Sequence, residues 1–161
     1  EKSDFMGADF KDLQALHVID SVTDVCLKET VCGVCERENC LVGYAQECIR
    51  KCLNNNVTFV EDGVKNIPLH DMRIYNEDRL VNGIADILLS CRSCKFEHFE
   101  NCVVNVIRNC YEIALFGDIQ PYEGSNFRYL AALNMNGMKD AQQILDTFHK
   151  KKAKLEAQAT E

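Results

Sequence analysis

A Cys-x-x-Cys pair occurs twice in this chain, as Cys32/Cys35 and Cys91/Cys94, and each pair lies between two stretches of helical periodicity. No other feature constrains the fold as strongly. A thiolate is a soft ligand, and several held close together bind zinc or an iron–sulfur cluster. A knuckle between two helices therefore predicts a helical hairpin whose bend is tied by metal. The chain has ten cysteines in 161 residues, far above ordinary usage. Most of them fall inside helical patterns rather than in the loops of a small disulfide scaffold. Reduced thiols in a cytoplasmic protein, some of them on metal, is the favoured reading over a disulfide framework.

The apolar spacing predicts a first helix from Phe10 to about Leu27, capped by Asp9, and a second from Cys40 to Leu53, capped by Asn39. Gly33 supplies the tight turn between them, and Asn54 to Asn56 end the second helix. Residues 57–67 read as a small β-hairpin, with β-branched residues on either side of Asp62-Gly63. Residues 69–76 are a connection. Asn76 caps a third helix, Glu77 to about Ser90, and a fourth runs from about Glu97 to Phe116, stopped by Gly117. A C-terminal helical segment over 125–157 begins with a short helix capped by Ser125 and ends in His149-Lys150-Lys151-Lys152. Those lysines read as the solvated last turns of a helix, where cations suit the dipole.

The two halves rhyme as helix, knuckle, helix, over roughly residues 10–56 and 76–117. Glu38-Asn39-Cys40 matches Glu100-Asn101-Cys102 at an offset of 62, while Ile49-Arg50-Lys51-Cys52 matches Ile107-Arg108-Asn109-Cys110 at 58. The two offsets differ by about one helical turn, so one register cannot satisfy both. The expected architecture is mainly α and a single domain over 1–161. Two pseudo-repeated helix–Cys-x-x-Cys–helix hairpins form a four-helix bundle, with the β-hairpin inserted between them and the C-terminal helix added.

Cys26, Cys32, Cys35 and Cys40 form a run with five, two and four residues between successive members. Four thiolates on one loop can surround one metal centre without help from distant chain. Zinc in a closed tetrahedral site is the first expectation, and an iron–sulfur cluster the alternative. The spacing resembles the iron–sulfur loop of DNA glycosylases of the endonuclease III type, each outer interval here being shorter by one residue. The helix-hairpin-helix signature and the catalytic Lys and Asp of that family are not found. The resemblance therefore implies only that such a loop can hold a four-iron cluster.

The second expected site is Cys91, Cys94 and Cys102 with His98, which shares a helix face with Cys102. Cys48 and Cys110 lie eight residues beyond Cys40 and Cys102, about 12 Å along a helix, too far to share one zinc with them. Core packing is their expected role. The sharper alternative is that Cys48, Cys52 and Cys110 meet as a further thiol or metal site.

His17, beside Asp20, reads as a core histidine, and His70-Asp71 as a loop pair with no nucleophile positioned by sequence. Asp20, Asp24 and Asp86 lack the Glu-x-x-His companion of carboxylate-bridged di-iron bundles. There is no phosphate-binding glycine loop, no Gly-x-Ser-x-Gly elbow and no His-Glu-x-x-His, so no familiar enzyme class is supported. The net charge of −7 argues against a phosphate-backbone binder, and no stretch approaches the ~18 apolar residues of a membrane span. The function expected is a cysteine-rich, zinc-binding structural or regulatory module that contacts a protein partner or itself. An iron–sulfur redox or sensor protein is the first alternative, and a thiol–disulfide redox protein using the knuckles the second.

Overall fold

The structure is a computed structural model, and it describes residues 15–90 and 100–159, with the side chains of 15–17 and 38 excluded. It is mainly helical. Six helices of ten residues or more are α1 (Ala15–Val25), α2 (Leu41–Asn55), α3 (Glu77–Ser90), α4 (Val103–Phe116), α5 (Asn126–Met135) and α6 (Ala141–Ala159). Between α1 and α2 the chain makes one helical turn, Glu29–Cys32, and a 3₁₀ turn, Arg37–Asn39. The predicted start of the first helix at Phe10 lies outside the described residues, as does the side chain of His17.

The helix ends follow their local chemistry. Lys28, at φ 68°, sends its ammonium back to the Thr23 carbonyl at 2.6 Å, meeting an orphan acceptor of α1. Asn56 ends α2 in the left-handed conformation, and Gly117 ends α4 at φ 85°. Asn76 accepts from the Arg79 N–H and Ser125 from the Arg128 N–H, as expected of caps. Two caps differ from expectation. Asn39 is taken into the 3₁₀ turn, so Cys40 caps α2, its sulfur accepting from the Gly43 N–H at 3.4 Å. The fourth helix begins at Val103 after an extended Cys102, not near Glu97, because residues 100–102 are drawn into turn and bridge contacts.

The β-hairpin expected at 57–67 is absent; no strand forms among the described residues. A type I′ turn needs positive φ at both central residues, and only Asp62 has it. The segment instead curls into turns over 61–66 and buries Val60, Gly63 and Ile67 at helix-like spacing. Its backbone pairs with the start of α4: the Val60 N–H donates to the Asn101 carbonyl at 2.9 Å, and the Val103 N–H donates to the Thr58 carbonyl at 2.8 Å. Gly63 allows the approach, since a Cβ there would stand 2.6 Å from the Val106 side chain. Cross-strand partners within the segment lost to a larger apolar surface on α4.

α3 sits at the centre, packed against α1, α4 and α6, while α2 packs on α1 and α4. Leu80, Ile84, Ile87 and Leu88 of α3 are all buried, with Val22, Ile107, Leu133 and Ile144 facing the same core. α6 lies along α3 through Ala141, Ile144 and Phe148, and its Lys151 pairs with Asp86 at 3.2 Å, so the lysine run is not wholly solvated. Helix directions follow from end contacts. Arg79, in the first turn of α3, donates to the Asp24 carbonyl at the end of α1 at 3.0 Å. Cys52, near the end of α2, reaches Phe59, which bridges to Cys102 at the start of α4. α1 and α3 therefore run antiparallel, as do α2 and α4. The Cys26–Cys40 loop lies at one end, and the residues that flank 91–99 lie at the other.

The helix starts agree with only one of the two sequence offsets. Leu41 and Val103 differ by 62 in number, both follow an extended cysteine, and Cys48 matches Cys110 in that register. The four-residue match at 58 is one turn out of step.

A candidate metal site in the first cysteine loop

Cys26, Cys32, Cys35 and Cys40 line one cleft of about 510 Å³ at the end of the molecule where α1 gives way to α2. Two of the four are anchored. Cys26 directly follows α1 and Cys40 caps α2, and both pack against the core. The other two stand on the turn around Gly33 (φ 75°), where the helical turn Glu29–Cys32 buries nothing and Cys35 is exposed. Among the described residues no three Cys, His, Asp or Glu side chains stand close enough to share one ion. Sharing one ion would need these side chains brought closer together.

The back wall comes from the connection before α3, which the sequence left without a role. The Asp71 carboxylate is fully buried and accepts from the Leu41 N–H (2.9 Å), the Arg73 N–H (3.0 Å), the Arg73 guanidinium (2.9 Å) and the Tyr75 hydroxyl (2.6 Å). Burial alone would raise its pKa, but these hydrogen bonds hold the carboxyl below the usual range. Asp71 thus fixes the first turn of α2 and two side chains of the cleft together. The Tyr75 hydroxyl stands 2.8 Å from the Cys40 sulfur. Burial, then Asp71 and Cys40, push its pKa well up. Arg73 bonds Asp71 and Glu36 and lines the cleft together with Cys32, and its two carboxylate partners keep its guanidinium charged. At the front, Gly43 lets the 3₁₀ turn lie directly on α2, for a Cβ there would run into the Arg37 backbone.

Sequence reading missed Asp71, Arg73 and Tyr75 for a physical reason. Residues 71–76 alternate buried and exposed, but Arg73 and Tyr75 face in while Met72 and Ile74 face out. The polar cleft inverts the usual pattern, in which the apolar residues are the inner ones. Alternation itself was the available signal.

Of the second expected site, Cys91, Cys94 and His98 lie outside the described residues; Cys102 is half-buried at the opposite end of the molecule from Cys40. Cys48, Cys52 and Cys110 are buried in the hydrophobic core, in line with their expected packing role. They lie on α2 and α4, which pack against each other. Burial, then Cys48 and Cys102, push the Cys52 thiol up to about 12. Burial likewise pushes Cys110 well above its ordinary value and raises Cys48, which Tyr44 partly offsets by a hydrogen bond. No disulfide joins the eight described cysteines.

A second buried polar group lies on α4, unannounced by any motif. Arg108 stacks against the rings of Tyr122 and Tyr129, at 4.3 and 5.4 Å from their centroids, and the two rings lie 5.7 Å apart. It pairs with Glu112 at 3.3 Å, and Glu112 also accepts from the Tyr129 hydroxyl at 2.6 Å and the Gln120 N–H at 3.2 Å. This cluster ties 118–129 to α4, and its Tyr122 also lines a cleft of about 500 Å³ between α5 and α6. Comparison with family models, curated proteins and solved structures finds no match to the chain.

Proposed function

We propose that this chain is a cysteine-rich metal-binding module, structural or regulatory in role, that holds zinc through Cys26, Cys32, Cys35 and Cys40 and acts by contact with a protein partner. The observation that carries the reading is that all four loop thiols line one cleft, two of them anchored to helix ends. The surroundings of Cys40 support it. An N–H from Gly43 and the Tyr75 hydroxyl reach its sulfur, and outer hydrogen bonds of this kind orient metal-bound thiolates. Bound zinc would tie the exposed Cys32–Cys35 turn to the α1 and α2 ends and contribute folding free energy there. By the same reading Cys91, Cys94, Cys102 and His98 hold a second centre at the far end, and the four helices α1 to α4 descend from a duplicated hairpin that forms a four-helix bundle. The shared 62-residue register of helix starts and capping cysteines supports the duplication. No helix among the described residues is long and apolar enough to cross a membrane, which suits a module that meets its partner in water.

Elemental analysis of anaerobically purified protein tests the reading. Colourless protein with stoichiometric zinc, lost together with helix content in Cys32→Ser, is the expected result. A brown preparation absorbing near ~400 nm assigns the thiolates to an iron–sulfur cluster instead. Folded protein that takes up neither metal sinks both. One observation favours a thiol–disulfide role: the Arg73 guanidinium shares the cleft with Cys32, next to an exposed Cys35. In that case Cys32→Ser keeps the fold and removes the reactive thiol.

A further inference from the structure

We infer that residues 71–75, a segment without helix or turn whose outward main-chain groups are unpaired, dock an extended peptide segment of a partner protein by strand-like pairing. Asp71 to Asn76 carry no helix or turn, and their burial alternates strictly, the pattern of extended chain. Arg73 and Tyr75 anchor the inner side to Asp71 and to the thiol cleft. Met72 and Ile74 point out, 89% and 91% exposed. The Arg73 N–H is taken by Asp71, whereas neither the N–H nor the C=O of Met72 or Ile74 has an intrachain hydrogen bond among the described residues. Residues two apart on an extended chain share an edge, so these four groups face the same way and match the pairs an added strand exchanges. Proteins ordinarily blunt such an edge with Lys or Pro, and neither stands at 71–75.

Apolar side chains mark the same end. Of nine large apolar residues exposed among the described ones, Val31, Val34, Leu69, Met72 and Ile74 belong to the two loops that build the cleft. These five stand on two short connections, with none on a helix of ten residues or more, and so present no broad apolar face to a second copy. An extended peptide suits the patch better, because main-chain hydrogen bonds supply its affinity and alternate side chains its specificity. This deepens the interaction role proposed for the module and rests on it, but it uses backbone geometry and not the metal.

The test uses the whole protein and a fluorescent probe, an acetylated and amidated Thr-Val-Thr-Val-Thr-Val-Thr peptide. Two N-methylated versions carry the methyls on one or the other alternate set of amides. Saturable binding is expected, with one N-methylated set binding like the parent and the other about tenfold weaker or worse, since only one edge of the probe pairs. Hydrogen exchange at the Met72 and Ile74 amides slows on binding. Ile74→Pro, which removes the edge N–H, lowers affinity about tenfold or more, whereas Ile74→Thr retains it. Circular dichroism confirms that each variant folds, and the N-methylated probes need no variant. Absence of saturable binding at millimolar probe overturns the inference, as does equal binding of both N-methylated sets. Self-association abolished by Ile74→Pro, without probe binding, overturns it in favour of a second copy as occupant. Zinc content measured in the same samples keeps failure of the metal reading separate from failure of docking.

Discussion

The loop thiols and the core thiols of this protein are chemically the same group set in opposite surroundings. Cys26, Cys32, Cys35 and Cys40 line a cleft with a guanidinium, a tyrosine hydroxyl and a backbone N–H within reach of sulfur. Cys48, Cys52 and Cys110 sit among Val, Ile and Leu side chains, where a thiolate has lost water and gained little in return. The first set is open to reagents that reach the cleft. The second behaves as small hydrophobes. Cysteine count alone says nothing about chemistry; the neighbours of each sulfur decide it.

The contrast breaks most sharply under alkylation. Raising the Cys52 pKa from 9.0 to about 12 cuts its thiolate fraction near pH 8 by about a thousandfold. Iodoacetamide on the folded, metal-free protein therefore labels Cys35 early and leaves Cys52 and Cys110 until the protein unfolds, as peptide mass mapping will read. The same shift sets the alkaline stability. The unfolded chain gives up this proton near pH 9, the folded chain only near 12, so the folded state holds the extra proton between them. Stability is fully present below pH 9 and falls by about 1.4 kcal/mol per pH unit for this thiol as pH rises through that window. Urea melts at pH 8, 9.5 and 10.5 check the slope, and a flat profile would remove the burial argument.

Substitution sharpens the comparison at a smaller scale. Cys110→Ser puts a hydroxyl where no water reaches and costs about 1–3 kcal/mol, with zinc content unchanged. Cys35→Ser, on an exposed turn, moves the stability of the metal-free protein by less than about 0.5 kcal/mol and, on the proposed zinc reading, abolishes metal uptake by the first loop. Gly43→Ala forces the 3₁₀ turn off α2 and costs about 1–3 kcal/mol in thermal melts, with weaker zinc uptake because Cys40 moves with the turn. The smallest effect is Tyr75→Phe, about 1 kcal/mol, through the lost bond to Asp71. Its zinc affinity drops about tenfold in a competition titration, since Cys40 loses its outer partner.

Much of the helical framework was legible. Periodicity found α2, α3 and α6, and the caps at Asn76, Ser125, Asn56 and Gly117 stand where their side chains or backbones allow. The β-hairpin failed because Asp62-Gly63 is a local signal, and the apolar spacing of Val60, Gly63 and Ile67 answered to α4 instead. Asn39 lost the cap to Cys40 because the 3₁₀ turn consumed it. The rear of the cleft was illegible because Asp71 is three residues from Pro68 in a connection with no motif, and its partners come from α2 and from its own near neighbours.

By itself the sequence determined that this chain is helical, where most helices end, and that the Cys26 to Cys40 sulfurs share one short loop. Those properties are local, arising from periodicity, cap chemistry and covalent spacing. Tertiary structure decided which thiols meet water and which meet apolar side chains, that Cys40 and Cys102 lie at opposite ends, and that Asp71, Arg73 and Tyr75 wall the cleft. Each depends on distant segments competing for the same buried surface, and that competition is settled only when α2, α3 and α4 pack.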